Sequence, residues 1–168
     1  FNLINTARIK NRTLKEEYDT DLYSDDLEYN FLEIIEKELK NYKNSFKLKD
    51  YTDMIEEFIL SNLCPTFDVV FIDEAQDLSP IQWKMYDLLK KNSKIVILAG
   101  DDDQAIYGWA GADVKRFQDE PAKEKVLPKS YRVPIKIQRI AYTIISQIET
   151  RIPKEWKPRE SEGHCEEV

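Results

Sequence analysis

Two apolar runs end in acids, and those acids could do chemistry. Val69-Val70-Phe71-Ile72 runs into Asp73-Glu74. Ile95-Val96-Ile97-Leu98 leads to Asp101-Asp102-Asp103-Gln104. An aspartate held directly after a buried strand can bind Mg2+ on a nucleotide through one or two oxygens, often by way of water. The neighbouring Glu74 points elsewhere and can take a proton from an attacking water. Gln104 offers an amide that could report on a γ-phosphate. Taken alone, the Asp-Glu pair fits equally well as acids that cap the following turn.

The elements around these residues must hold them in place. Both apolar runs are short, continuous and rich in β-branched residues, which predicts strands buried on both faces of a parallel sheet. Ligands of open parallel sheets sit at the carboxyl ends of the strands, where these acids fall. Between the runs, Ser79-Pro80-Ile81-Gln82 reads as a helix start with a capping box. Ile81, Met85, Leu88 and Leu89 then share one helical face. Strand, acidic turn, helix and strand make a βαβ crossover.

The full strings are more specific than their parts. DEAQD at 73–77, GDDDQAIYGWAGAD at 100–113 and LPKSYR at 127–132 follow one another in order. They resemble the second, third and fourth motifs of UvrD/Rep-type superfamily 1 DNA helicases, which read DExQD, GDxxQxIYxWxGA and roughly LxxNYR. The resemblance covers Tyr51 to Ile148. It implies an α/β fold: a partial RecA-like P-loop NTPase domain of parallel strands and flanking helices, with an N-terminal helical segment. Residues 1–49 would belong to the helical insertion, which touches duplex DNA in this family. Residues 50–150 would form the motor-domain fragment, and 151–168 a tail or the start of another domain.

The resemblance also implies roles. Asp73 would coordinate Mg2+ and Glu74 would activate water. Gln104 would sense the γ-phosphate of ATP and couple it to DNA, and Arg132 would contact the same phosphate. A guanidinium suits that task because it offers a planar fork of donors, although a lone arginine fits a surface salt bridge as well. Tyr131 would stack on adenine, and Tyr107 and Trp109 on single-stranded bases. A Tyr-x-Trp can also be core packing, but Gly108 and Gly111 favour an exposed tight loop. The family commonly has arginine after the tryptophan, where this chain has Ala110. No GxxxxGK[ST] occurs, and with four glycines in the chain no disguised version fits.

The parent is thus expected to be an ATP-dependent helicase moving 3′ to 5′ on single-stranded DNA and duplex junctions. It would be cytoplasmic and nucleoid-associated. The segment alone is expected to be inactive without the rest of the motor. The alternatives are a non-catalytic DNA-binding or interaction module on the same fold, or part of a helicase-nuclease. The opening FNLINTARIK has no initiator methionine, which reads as an excised segment.

Composition agrees with one domain. The 168 residues are 42% hydrophobic and 34% charged, enough for a core and a solvated surface. No apolar run reaches membrane-spanning length. Cys64, Cys165 and His164 have no metal-ligand spacing, so a reduced intracellular protein without zinc is expected. The net charge of −7 argues against strong nucleic-acid binding by this segment alone.

Along the rest of the chain, Asn2 to Glu17 reads as helix with a possible restart at Thr13. Tyr18 to Asp26 reads as loop, and Leu27, Phe31, Ile34, Ile35 and Leu39 as the face of a helix. Lys37, Lys40, Lys43, Lys47 and Lys49 fit a solvated basic face better than a DNA patch. Asp50 is placed to cap a helix carrying Met54, Ile55, Phe58 and Ile59. Lys125-Val126-Leu127 predicts a brief third strand. Pro134 would open a helix with Ile137, Ile140, Ala141, Ile144, Ile145 and Ile148 on one side. Beyond Arg151 a disordered or edge segment is expected.

Overall fold

The computed structural model describes residues 2–20 and 28–166. Its N-terminal part is helical. Helix α1 (Asn2–Ile9) ends at Asn11, whose φ of 52° breaks the run. Helix α2 (Leu14–Tyr18) restarts on a Thr13/Glu16 capping box. Helix α3 (Tyr29–Phe46) packs Leu32 against Ile4 and Leu14, with Ile35 beside them. This differs from the expected face. Leu32, Ile35 and Leu39 turn inward, while Phe31 and Ile34 lie exposed. The small α1–α2 partner covers only a narrow stripe of α3. Leu27 and most of the expected acidic loop lie outside the described residues.

Helix α4 (Tyr51–Ser61) begins on an Asp50/Asp53 capping box. Arg8 of α1 reaches Asp50 at 3.0 Å and Glu56 at 2.9 Å, and Lys43 of α3 reaches Asp53 at 2.8 Å. Lys49 pairs with Glu57. Lys43 and Lys49 therefore serve the helix packing.

Strand β1 (Phe67–Ile72), helix α5 (Pro80–Lys91) and strand β2 (Ser93–Leu98) form the expected crossover. The strands are parallel, with Val69 opposite Ile95 and Phe71 opposite Ile97. The start of α5 is fixed as the sequence predicts: Gln82 Oε1 accepts from the Ser79 backbone N–H at 2.9 Å. Its buried residues are Ile81, Trp83 and Tyr86, with Met85, Leu88 and Leu89 half-buried. Trp83 and Tyr86 meet edge to face at 5.1 Å, so the aromatic pair anchors the helix beyond the aliphatic face expected.

The expected burial of both sheet faces does not hold. Val70, Ile72, Val96 and Leu98 are half-buried, while Val69, Phe71, Ile95 and Ile97 are exposed. Side chains alternate across a strand, and among the described residues only one side of this pair is covered.

Helix α6 (Val114–Gln118) follows. The third strand is β3 (Lys129–Pro134), not Lys125–Leu127. Val126 and Leu127 are exposed, and Tyr131 and Arg132 stand within the strand. Helix α7 (Ile135–Ile145) starts after Pro134, but its isoleucine face is largely uncovered. Of the two expectations for the tail, the edge segment holds for its described residues. Strand β4 (Lys157–Arg159) pairs parallel with β3 as a second two-stranded sheet. The tail's described residues are held by backbone bonds such as Ile135 N–H to Ser161 O at 2.9 Å and by the ion pairs of Arg151 and Lys154. The result is a mixed α/β chain with short parallel sheets.

Candidate functional site

The site is built where β1 and β2 end. Asp73 is exposed at the carboxyl end of β1, and its Oδ1 accepts from the Glu74 N–H at 3.0 Å. Glu74 has a φ of 51°, in the left-handed region. A non-glycine residue there costs on the order of 1 kcal/mol, and surrounding bonds must hold it. They do. Ala75 N–H donates to Ala99 O at 2.9 Å and Ala99 N–H to Ile72 O at 2.8 Å, so the two strand ends are laced together.

Gln76 is the buried centre of this lacing, only 1% exposed. Its Nε2 donates to Glu74 Oε2 at 2.9 Å and to Asp77 Oδ2 at 3.3 Å. Its Oε1 accepts from the Asp101 backbone N–H at 3.0 Å. Reversing the amide would face oxygen with carboxylate and N–H with N–H, so the partners fix its orientation. Gly100 makes room: a Cβ there would lie 2.7 Å from Gln76 Oε1 and 2.9 Å from the Phe117 ring.

Gln104 is exposed beside this centre, and its Nε2 donates to Asp101 Oδ2 at 2.6 Å. Glu74 and Gln104 are thus joined through Gln76 and Asp101. The acidic triplet is paired with two cations of the tail. Lys154 Nζ lies 2.7 Å from Asp101 Oδ1 and 3.2 Å from Asp103 Oδ2, and it also pairs with Asp102. Arg151 makes a two-pronged bond to Asp103 at 2.7 and 2.6 Å. The Ile152 N–H donates to Asp102 Oδ2 at 2.6 Å. Burial by itself would raise the Asp101 and Asp102 carboxyls. Hydrogen bonds from Lys154, joined by Gln104 at Asp101 and by the Ile152 N–H at Asp102, outweigh it and hold both below the usual range.

The aromatic loop is open, as its glycines suggest. Trp109 is 81% exposed and Tyr107 is half-exposed, with ring centroids 6.5 Å apart. Gly111 closes the loop at a φ of 99°. Tyr107 also borders a cleft of about 280 Å³ that Asp77, Ser79 and Tyr51 help to line. Tyr131 and Arg132 are exposed on β3. The Tyr131 ring lies under Lys129 Nζ at 5.5 Å. Among the described residues, the Arg132 guanidinium has no hydrogen-bond or ion-pair partner, and no bond ties it to the acids of β1 or β2.

The structure thus brings Glu74 and Gln104 into one bonded unit and places Asp73 at its edge. It leaves Tyr131 and Arg132 on a separate sheet. Sequence reasoning gave no part to Gln76, Arg151 or Lys154. Gln76 lay in plain view inside DEAQD. The two tail cations carried no signal beyond their charge.

Residues 3–125 match the model of the UvrD/REP helicase N-terminal domain family. The chain is 34% identical over 100 residues to DNA helicase II of Haemophilus influenzae and 36% over 101 residues to DNA helicase II of Escherichia coli K12. It is 33% identical over 101 residues to the ATP-dependent DNA helicase PcrA of Leuconostoc citreum. Each alignment takes in 57% of this chain and 14% of the relative, so the chain spans only a small part of those proteins.

Proposed function

Because the chain belongs to the UvrD/REP helicase family, we propose that it forms part of the RecA-like motor of an ATP-dependent DNA helicase. The helicase moves 3′ to 5′ on single-stranded DNA and works at duplex junctions in the cytoplasm. One observation carries this reading. Glu74 and Gln104, from the ends of two parallel strands, are joined through a buried amide. Packing alone has no need for that set.

Asp73 is an exposed carboxylate with hard oxygen donors. It fits Mg2+, which one or two carboxylates hold together with substrate phosphates. Bound with ATP, Mg2+ supplies neutralisation of phosphate charge. Glu74 takes a proton from water, and Gln104 orients polar partners beside it. Arg132, with no partner of its own, offers its fork of donors to phosphate oxygens. Tyr131 offers a face to adenine, and Tyr107 and Trp109 offer faces to bases. The 168 residues contain no GxxxxGK[ST]. The lysine on the β- and γ-phosphates is therefore assigned to another segment, as is the remaining motor domain.

The test is DNA-stimulated ATP hydrolysis and unwinding by the full-length protein that carries this chain. Glu74→Gln is expected to lower hydrolysis by roughly 10²- to 10⁴-fold, the usual share of a general base. Single-stranded DNA binding should persist. Undiminished hydrolysis in Glu74→Gln would overturn the assignment.

A further inference from the structure

We propose that Gln76 is a positioning residue for hydrolysis, a crosspiece that makes the base Glu74 and the sensor loop of Gln104 move as one unit. The inference rests on the proposed helicase function. Gln76 is almost fully buried and uses both ends of its amide. One end holds Glu74 Oε2, on a residue whose backbone is already strained. The other holds the N–H of Asp101, whose carboxylate grips Gln104. A buried amide satisfied on both sides resists rotation, since either lost partner would leave a polar group unpaired. The Glu74 carboxylate is itself exposed and would otherwise sample several rotamers. Gln76 thus fixes the aim of Glu74, and a shift of Gln104 on either side of the reaction must travel through the same amide.

A purely structural glutamine and a positioning one make different demands on variants. Gln76→Leu removes both bonds. Gln76→Glu keeps the shape and the acceptor for Asp101 but loses the donor and sets a carboxylate against Glu74 and Asp77, so its urea midpoint is measured alongside to separate aiming from folding. In the full-length protein, both variants are expected to lower kcat for DNA-stimulated ATP hydrolysis by roughly 10- to 100-fold. The KM for ATP should stay within about threefold, because Asp73 and the phosphate contacts are untouched. In the Glu74→Gln background, Gln76→Leu should add almost nothing, since a base that is gone needs no aim. The proposal is overturned if Gln76→Glu keeps wild-type kcat. It is equally overturned if the two losses multiply in the double variant, or if KM rises in step with the fall in kcat. Failure of the underlying reading looks different: wild type without ATP hydrolysis, or Glu74→Gln as active as wild type.

Discussion

Lys154 Nζ sits 2.7 Å from Asp101 Oδ1, on the carboxylate whose other oxygen holds the Gln104 amide. The tail thereby braces the loop that presents Gln104, although 50 residues of chain separate it from the triplet of acids. The side chains of Lys154, Asp102 and Asp103 are 14%, 2% and 5% exposed, so this clasp is shielded from screening by water.

Removing its centre should be costly. Lys154→Met leaves buried carboxylates without their main cation, and breaking a buried pair costs about 3 kcal/mol. The loss should appear as a lower urea midpoint and as faster amide exchange at Arg151 to Trp156. The contribution also has a pH window. Asp101 and Asp102 have folded pKa values below their ordinary 3.8, so their stabilisation is present above that value and is lost as pH falls through the folded pKa. Burial alone would lower the pKa of Lys154, but its bonds to Asp101 and Asp102 raise it above the ordinary 10.5. Its stabilisation is therefore present below 10.5 and is lost as pH rises through the folded value. The gap between wild type and Lys154→Met should be full near neutral pH and shrink on acidification below about 4. An unchanged gap at low pH would show that the clasp is not what the substitution removed.

Catalysis by the chain on its own should be absent. No phosphate loop is present among the 168 residues, so its lysine is not there to hold the β- and γ-phosphates against Asp73 and Glu74. Phosphate release from ATP by the purified chain should match buffer alone, with or without single-stranded DNA. Turnover that vanishes in Glu74→Gln would contradict this.

The bare sheet face makes a separate prediction. Phe71 is 72% exposed and Ile95 54%, next to Val69 and Ile97. A continuous apolar surface on a two-stranded sheet with open edges favours association. The isolated chain should show concentration-dependent self-association in sedimentation velocity. Phe71→Glu should return it toward monomer while shifting stability by no more than about 0.5 kcal/mol, as for an exposed side chain. A wild-type chain that stays monomeric at high concentration would contradict the prediction.

What could be read in advance follows the range of the interactions. The helix starts at Thr13, Asp50 and Ser79 are set by local signals, and all three are present. The β1–α5–β2 crossover is written in short apolar runs and their punctuation. The exposed Trp109 loop is written in its glycines. The inward turn of α3 around Leu32 was not legible, because an amphipathic pattern does not say how wide its partner is. The β3–β4 pairing joins segments without periodicity. The bond from Gln76 to Asp101 spans 25 residues and exists only through the parallel register, while the Lys154 clasp spans 52 residues to Asp102. Charge alone could not choose these partners.

Trp83 and Trp109 separate folding from function. Trp83 is 3% exposed, packed edge to face on Tyr86 and covered by the Arg116 guanidinium at 5.2 Å. Trp83→Ala should cost about 3–5 kcal/mol of stability, the usual loss for a buried large aromatic. Trp109 is 81% exposed on its loop, so Trp109→Ala should leave stability within about 0.5 kcal/mol. If its indole stacks on a base, the same substitution in the full-length protein should weaken single-stranded DNA binding by about 1–3 kcal/mol. DNA-stimulated hydrolysis should then fall, because Gln104 lies on the same loop, while basal hydrolysis should hold because Asp73 and Glu74 are untouched. Denaturant unfolding of the chain and fluorescence titration of the full-length protein with an oligonucleotide measure the two effects. Unchanged DNA affinity in Trp109→Ala would remove the stacking role and leave Trp109 as a surface residue.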